Sequence, residues 1–160
     1  MNFEGSMSVT TFLMIDNLEQ LCIKHSILKI LLQDIQQIRE IKTTSIIDTF
    51  QLHLRLVKNE INSTEDKIED DMNFVDFDDF IDNFYKYPVD IFKDYYLKSK
   101  LHKYSKLSTD SLRKKHTKYY DRLMRLLIEN NDYISSDTID LLLKIKKIIL
   151  AIDKIIDNRV

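Results

Sequence analysis

The residues of this chain that could do chemistry are four histidines, one cysteine and a crowd of carboxylates, and their spacing argues against most of it. His25, His53, His102 and His116 are scattered, and none follows a carboxylate at the three-residue interval by which helical bundles present Glu and His to a di-iron centre. A zinc site needs Cys and His in clusters, and Cys22 is the only cysteine. The acidic run from Glu65 to Asp82 lacks the loop glycine and the terminal glutamate spacing of a calcium-binding EF-hand. With one glycine in 160 residues there is no phosphate-cradling loop, no dinucleotide fingerprint and no strained turn carrying a nucleophile. Carboxylate pairs such as Asp78 and Asp82 could exchange protons, but on a solvated acidic helix face nothing desolvates them for acid–base work. The chain is therefore read as non-catalytic, with no metal, no cofactor and no small-molecule substrate.

The elements that would position these side chains are helices. One glycine and one proline cannot supply the turns of a sheet protein, whereas long helices joined by short polar links need neither. Hydrophobic residues make up 44% and charged residues 31%, the balance of a globular protein. There are 22 isoleucines but one alanine, so intrinsic helix propensity is mediocre and apolar faces must hold the helices together. From about Thr11 to Lys42, Leu18, Leu21, Ile27, Leu28, Leu31, Leu32, Ile35, Ile38 and Ile41 recur at three and four, predicting a long first helix. Thr43-Thr44-Ser45 interrupts or weakens it, and Ile46, Phe50, Leu54, Val57 and Ile61 resume the pattern, so residues 11–61 read as one long helix or as a hairpin of two. Ser63 and Thr64 signal a new, acidic helix. Phe74, Phe77, Phe80, Ile81, Phe84 and Tyr85 then give an aromatic face opposite Asp76, Asp78, Asp79 and Asp82. Those phenylalanines read as core, or as a docking helix for a basic groove.

Pro88 marks a break and fits the first turn of the next helix, which carries Ile91, Phe92, Tyr95, Tyr96 and Leu101 to about Tyr104. Several Ser and Thr caps precede a helix from about Asp110 to Glu129, ended by Asn130-Asn131-Asp132. Ser135 and Ser136 cap a last helix, whose broad stripe includes Ile145, Ile148, Ile149, Ile152, Ile155 and Ile156. A stripe wider than one neighbour needs implies a central position in the bundle, or an interface offered to another chain. The fold class expected is all-α: an antiparallel bundle of five or six helices with a long N-terminal helix or helical hairpin. Residues 8–160 read as a single domain, and Met1–Met7 as a tag or disordered leader.

Charge is distributed unevenly. From Ser63 to Tyr96 eleven acidic residues stand against three lysines, a balance of minus eight. From Leu97 to Arg125 ten Lys and Arg stand against Asp110 and Asp121, a balance of plus eight. The two blocks could pair across adjacent helices. Alternatively, Lys98, Lys100, Lys103, Lys106, Arg113, Lys114, Lys115, Lys118, Arg122 and Arg125, with Tyr104, Tyr119 and Tyr120 interleaved, form a surface for a polyanion or an acidic partner. A pI of about 6.1 is low for a dedicated nucleic-acid binder, and no groove-reading motif is present. Attachment to an anionic membrane finds no lipidation motif, and no apolar run approaches the roughly 20 residues that span a bilayer.

Cys22, amid Leu18 and Leu21, reads as a small buried hydrophobe. No secretory signal is evident, so an intracellular setting, cytoplasm or nucleus, is expected. The function expected is a protein–protein interaction module, a subunit or adaptor in a hetero-complex or homo-oligomer. Its partner would engage the isoleucine stripe or the Tyr/Lys region. One alternative is a nucleic-acid-associated accessory factor using the basic 98–125 region. Another is a viral helical inhibitor of host death or immune signalling with a groove for a partner helix.

Overall fold

The computed structural model describes residues 8–38, 43–129 and 134–159, with Thr43, Thr44 and Phe74 described by their backbone alone. The expectations for Met1–Met7, Ile41 and the Asn130-Asn131-Asp132 link lie outside the described residues. Among those described the chain is all-helical: α1 (Val9–Gln36), α2 (Thr43–Asp71), α3 (Phe74–Phe84), a 3-10 turn (Ile91–Lys93), α4 (Tyr95–Tyr104), α5 (Thr109–Glu129) and α6 (Ser136–Arg159). None of these helices is long and apolar enough to cross a membrane.

The starts of α1, α3, α4, α5 and α6 are each set by a short polar side chain that satisfies an orphan amide. Ser8 accepts from the Thr11 amide at 3.1 Å, Asn73 from Asp76 at 3.0 Å, Asp94 from Leu97 at 2.9 Å, Ser108 from Ser111 at 3.2 Å and Ser135 from Thr138 at 3.2 Å. Two expected boundaries move. Ser63 and Thr64 do not start a helix, because the Thr64 hydroxyl donates 2.8 Å back to the Glu60 carbonyl and α2 runs straight through to Asp71. Pro88 lies in the extended link before the 3-10 turn, not in a first helical turn, and α4 begins later, at the Asp94 cap.

The long N-terminal segment is a pair of helices, with α1 28 residues long. The start of α1 meets the end of α2, where the Thr11 hydroxyl donates to the Asp71 carboxylate at 3.3 Å. Leu18, Ile23, Ile27, Leu28, Leu31 and Ile35 of α1 and Ile46, Phe50 and Ile68 of α2 lose all exposure in one apolar cluster. Ile139, Leu142, Ile145 and Ile149 of α6 and Leu123 and Leu127 of α5 join that cluster. Phe77, Phe80 and Phe84 of α3 pack against its edge, half-buried, with Phe80 and Phe84 tilted at 5.6 Å between ring centres.

A second cluster explains the width of the α6 stripe. Ile148, Ile152 and Ile155 point the other way, onto Tyr104 of α4 and Leu112 of α5. α6 thus packs on α1 with one side and on α4 and α5 with the other. Burying each isoleucine is worth about 1.5–3 kcal/mol relative to exposure, so both sides of α6 contribute to stability.

Candidate interaction surface

The positively charged region is built on α6 as a base. Asp94 caps α4 and also accepts from the Lys147 ammonium of α6 at 3.1 Å, both side chains being largely buried. At the far end Arg159 of α6 donates to the Thr109 hydroxyl at 3.2 Å and to the Ser105 carbonyl at 2.9 Å, clamping the α4–α5 link. His116 of α5 meets Asp153 of α6 at 2.9 Å. With Leu97, Tyr104, Leu112, Leu123 and Leu127 turned inward, helical periodicity leaves the cations on the outside. Lys98, Lys103, Lys106, Arg113, Lys114, Lys118, Arg122 and Arg125 are exposed, and Lys100 and Lys115 are half-buried. The structure places nine of the ten on α4 and α5 and Lys106 in the link that joins them.

Among the described residues, none of these ten takes part in an ion pair. The ion pairs that form use Lys93 with Glu19, Lys146 with Asp34, Lys147 with Asp94 and His116 with Asp153. The acidic and basic blocks are therefore not neutralised against each other. α2 packs on α1 and α3, while α4 and α5 pack on α6, so the α2–α3 carboxylates and the α4–α5 cations sit on helices with different neighbours.

The cations lie beside tyrosine rings instead. The Lys100 ammonium is 5.1 Å and that of Lys147 5.9 Å from the Tyr96 ring centre; Lys103 and Lys115 flank Tyr104 at 5.8 and 5.7 Å; Lys118 lies 5.9 Å from Tyr119. Such contacts contribute about 0.5–1 kcal/mol at exposed sites and leave the ammonium protons free for an anionic partner. The hydrogen bond between the Tyr104 and Tyr119 hydroxyls, with the nearby Lys115, Lys118 and Lys100 charges, draws the Tyr119 phenol below its ordinary value against the opposing effect of burial. Burial, and then its bond to Tyr119, pushes the Tyr104 phenol up. Tyr120 stays 48% exposed, its ring stacked near that of His116 at 6.3 Å. It lines a depression at the end of α1 with Asp34, Gln37, Ile38 and Met124, whereas a separate shallow depression of about 430 Å³ on α5 is lined by Lys118, Asp121, Arg122, Arg125, Leu126 and Glu129.

The second predicted surface lies in a different place. Ile145, Ile148, Ile149, Ile152 and Ile155 are 1, 7, 3, 0 and 8% exposed, and Ile156 is half-buried. Of the two readings of that stripe, the central position is the one found: α1, α4 and α5 already cover it. The acidic α3 stripe, by contrast, is open, with Val75 68% exposed and Asp78, Asp79 and Asp82 exposed along the same face. Comparison with known proteins finds no matching family, no matching curated relative and no matching solved structure. Function must therefore be argued from the surface itself.

Among the described residues no group of His, Cys, Asp and Glu is gathered in a metal-binding arrangement. Cys22 is buried, its thiol raised by burial, and it neighbours Tyr85, whose hydroxyl donates to Glu65. Asp94, Lys147 and Arg159, which fix the frame of the basic face, did not emerge from the sequence. Asp94 counted only as one more charge of the acidic block, although an aspartate immediately before an apolar helical period is itself a cap signal.

Proposed function

We propose that the chain is a non-catalytic helical protein–protein interaction module, a subunit or adaptor, whose working surface is the cationic, tyrosine-lined face of α4 and α5. One observation carries the reading: ten Lys and Arg are gathered on adjoining elements, and none has an ion-pair partner among the described residues. Unpaired charges of one sign raise the capture rate of an acidic partner and select against basic ones. Tyr120, exposed beside the His116 ring at the edge of that face, supplies an aromatic anchor of the kind that dominates binding energy. The meeting of the α1 start with the α2 end supports an antiparallel bundle, a rigid frame on which such a face keeps its shape.

A nucleic acid is the second reading, supported by the exposed Tyr120 on the helix that carries the cations, because bases stack on aromatic rings while cations hold the phosphates. Fluorescence anisotropy separates the two. A labelled acidic peptide should bind at low salt, and Lys114→Glu with Lys118→Glu should weaken it at least about tenfold. Unchanged binding by the folded double variant rejects the proposal, and a clear preference for single-stranded oligonucleotide transfers it to the second reading.

A further inference from the structure

The carboxylates of α2 and α3 and the cations of α4 and α5 lie on different helices of one molecule. The acidic flank comprises the second half of α2 and the outer stripe of α3, where Asp66, Asp70, Asp78, Asp79 and Asp82 are exposed. Val75, 68% exposed, falls at i, i+3, i+4 and i+7 with Asp78, Asp79 and Asp82, so an apolar side chain and three carboxylates share one face. The cationic flank has the matching composition. Along α5, Lys114, Lys118 and Arg125 recur on one stripe, interrupted by Asp121, with Arg122 beside them. The blocks carry minus eight and plus eight. Among the described residues no ion pair joins the α2–α3 carboxylates to the α4–α5 cations within one chain. Two copies can bring them together.

We infer that the acidic partner of the α4–α5 face is the α2–α3 flank of a second copy of this chain, so that molecules associate head to tail. The inference rests on the proposed use of the cationic face and names its occupant. The two flanks are complementary. Each copy presents a row of carboxylates around an exposed apolar residue and a row of cations, and bringing like flanks together would place charges of one sign against each other. Contact between unlike flanks is heterologous: each copy keeps one flank free, and association continues into a chain or closes into a ring according to the rotation between copies. Because the contacts are exposed ion pairs, the assembly is weak and falls apart as salt screens them over the Debye length, about 10 Å at 0.1 M.

Sedimentation velocity of the full chain tests this. In about 20 mM salt the weight-average mass should rise with protein concentration, and in about 500 mM salt, where the Debye length is a few ångströms, it should return to the monomer. Asp78→Lys with Asp79→Lys should abolish the rise, as should Lys114→Glu with Lys118→Glu, with helical circular dichroism unchanged in both. An equimolar mixture of the two variants should restore association, since each retains one unaltered flank. Should a reversal disturb folding, Asp78→Asn with Asp79→Asn provides the milder form, with the same direction expected. A strict monomer in low salt that still binds an acidic poly-glutamate probe overturns the inference and leaves the cationic face standing. A monomer that binds no such probe overturns both. Association that persists unchanged in high salt also overturns the inference.

Discussion

Removing one carboxylate should unfasten the basic face from its base. Asp94 is 8% exposed and does two things at once, capping α4 at the Leu97 amide and pairing with Lys147 of α6 at 3.1 Å. Asp94→Ala loses a cap, worth about 0.5–2 kcal/mol. It also leaves the Lys147 ammonium, 18% exposed, without its carboxylate. A fully buried orphan charge would cost about 3–5 kcal/mol, and the residual exposure of Lys147 and the nearby Tyr96 ring reduce that, so a total of about 2–4 kcal/mol is expected. Asp94→Asn keeps an oxygen for the amide and loses only the charge, for about 1–2 kcal/mol, near the lower end for a hydrogen bond to a charged group. Lys147→Met should cost less again, because Asp94 still has the positive end of α4 to stabilise it. Urea unfolding followed by helical circular dichroism measures the series, and with a slope of about 2 kcal/mol per molar the alanine variant should move the midpoint by about 1–2 M. If asparagine is as damaging as alanine, the cap argument fails. An alanine variant within about 0.5 kcal/mol of the parent, the scatter of ordinary surface substitutions, refutes the whole account of this contact.

Two further outcomes are expected. Ile152 is 0% exposed between α6 and the α4–α5 pair, so Ile152→Ala should lower stability by about 2–5 kcal/mol, and Ile152→Asp should abolish the helical signal itself; an Ile152→Asp protein that stays folded but changes its association would return the isoleucine stripe to the role of interface. Burial, reinforced by the charges of Lys29 and Lys58, draws His25 below its ordinary 6.5. The unfolded chain then binds a proton more readily than the folded one, so the stability present above that pH is lost as pH falls through it. A urea midpoint that declines from neutral pH to about 5 should be flatter in His25→Gln, and an unchanged decline there assigns the acid sensitivity elsewhere.

The helices were legible in the sequence because apolar residues at three and four leave little else to build. Leu18, Ile27, Leu31 and Ile35 on α1 and Leu112, Leu123 and Leu127 on α5 are the residues that the periodicity picks out and the fold buries. Boundaries were harder wherever one side chain has two uses. Thr64 can cap a helix or bond back to the preceding turn, and only the neighbouring helix, against which it is 7% exposed, decides. The wide isoleucine stripe on α6 fits equally a helix packed on two sides and one covered by a partner, because periodicity counts apolar faces and not what covers them. The charge blocks were visible in sequence, but not that the α2–α3 carboxylates and the α4–α5 cations would form no ion pair with each other among the described residues, since that depends on which helices pack together. Asp94 and Lys147, 53 residues apart, form a pair that no local pattern announces.

Mapping the binding site directly tests the central claim. Backbone amide shifts of isotope-labelled protein, followed by NMR during titration with an acidic peptide at low salt, should move in residues 95–125, with the largest changes around Lys114, Lys118 and Tyr120, and should return on adding salt. Shifts confined to α1 and α2, or none at all at peptide concentrations that saturate the anisotropy signal, would contradict it.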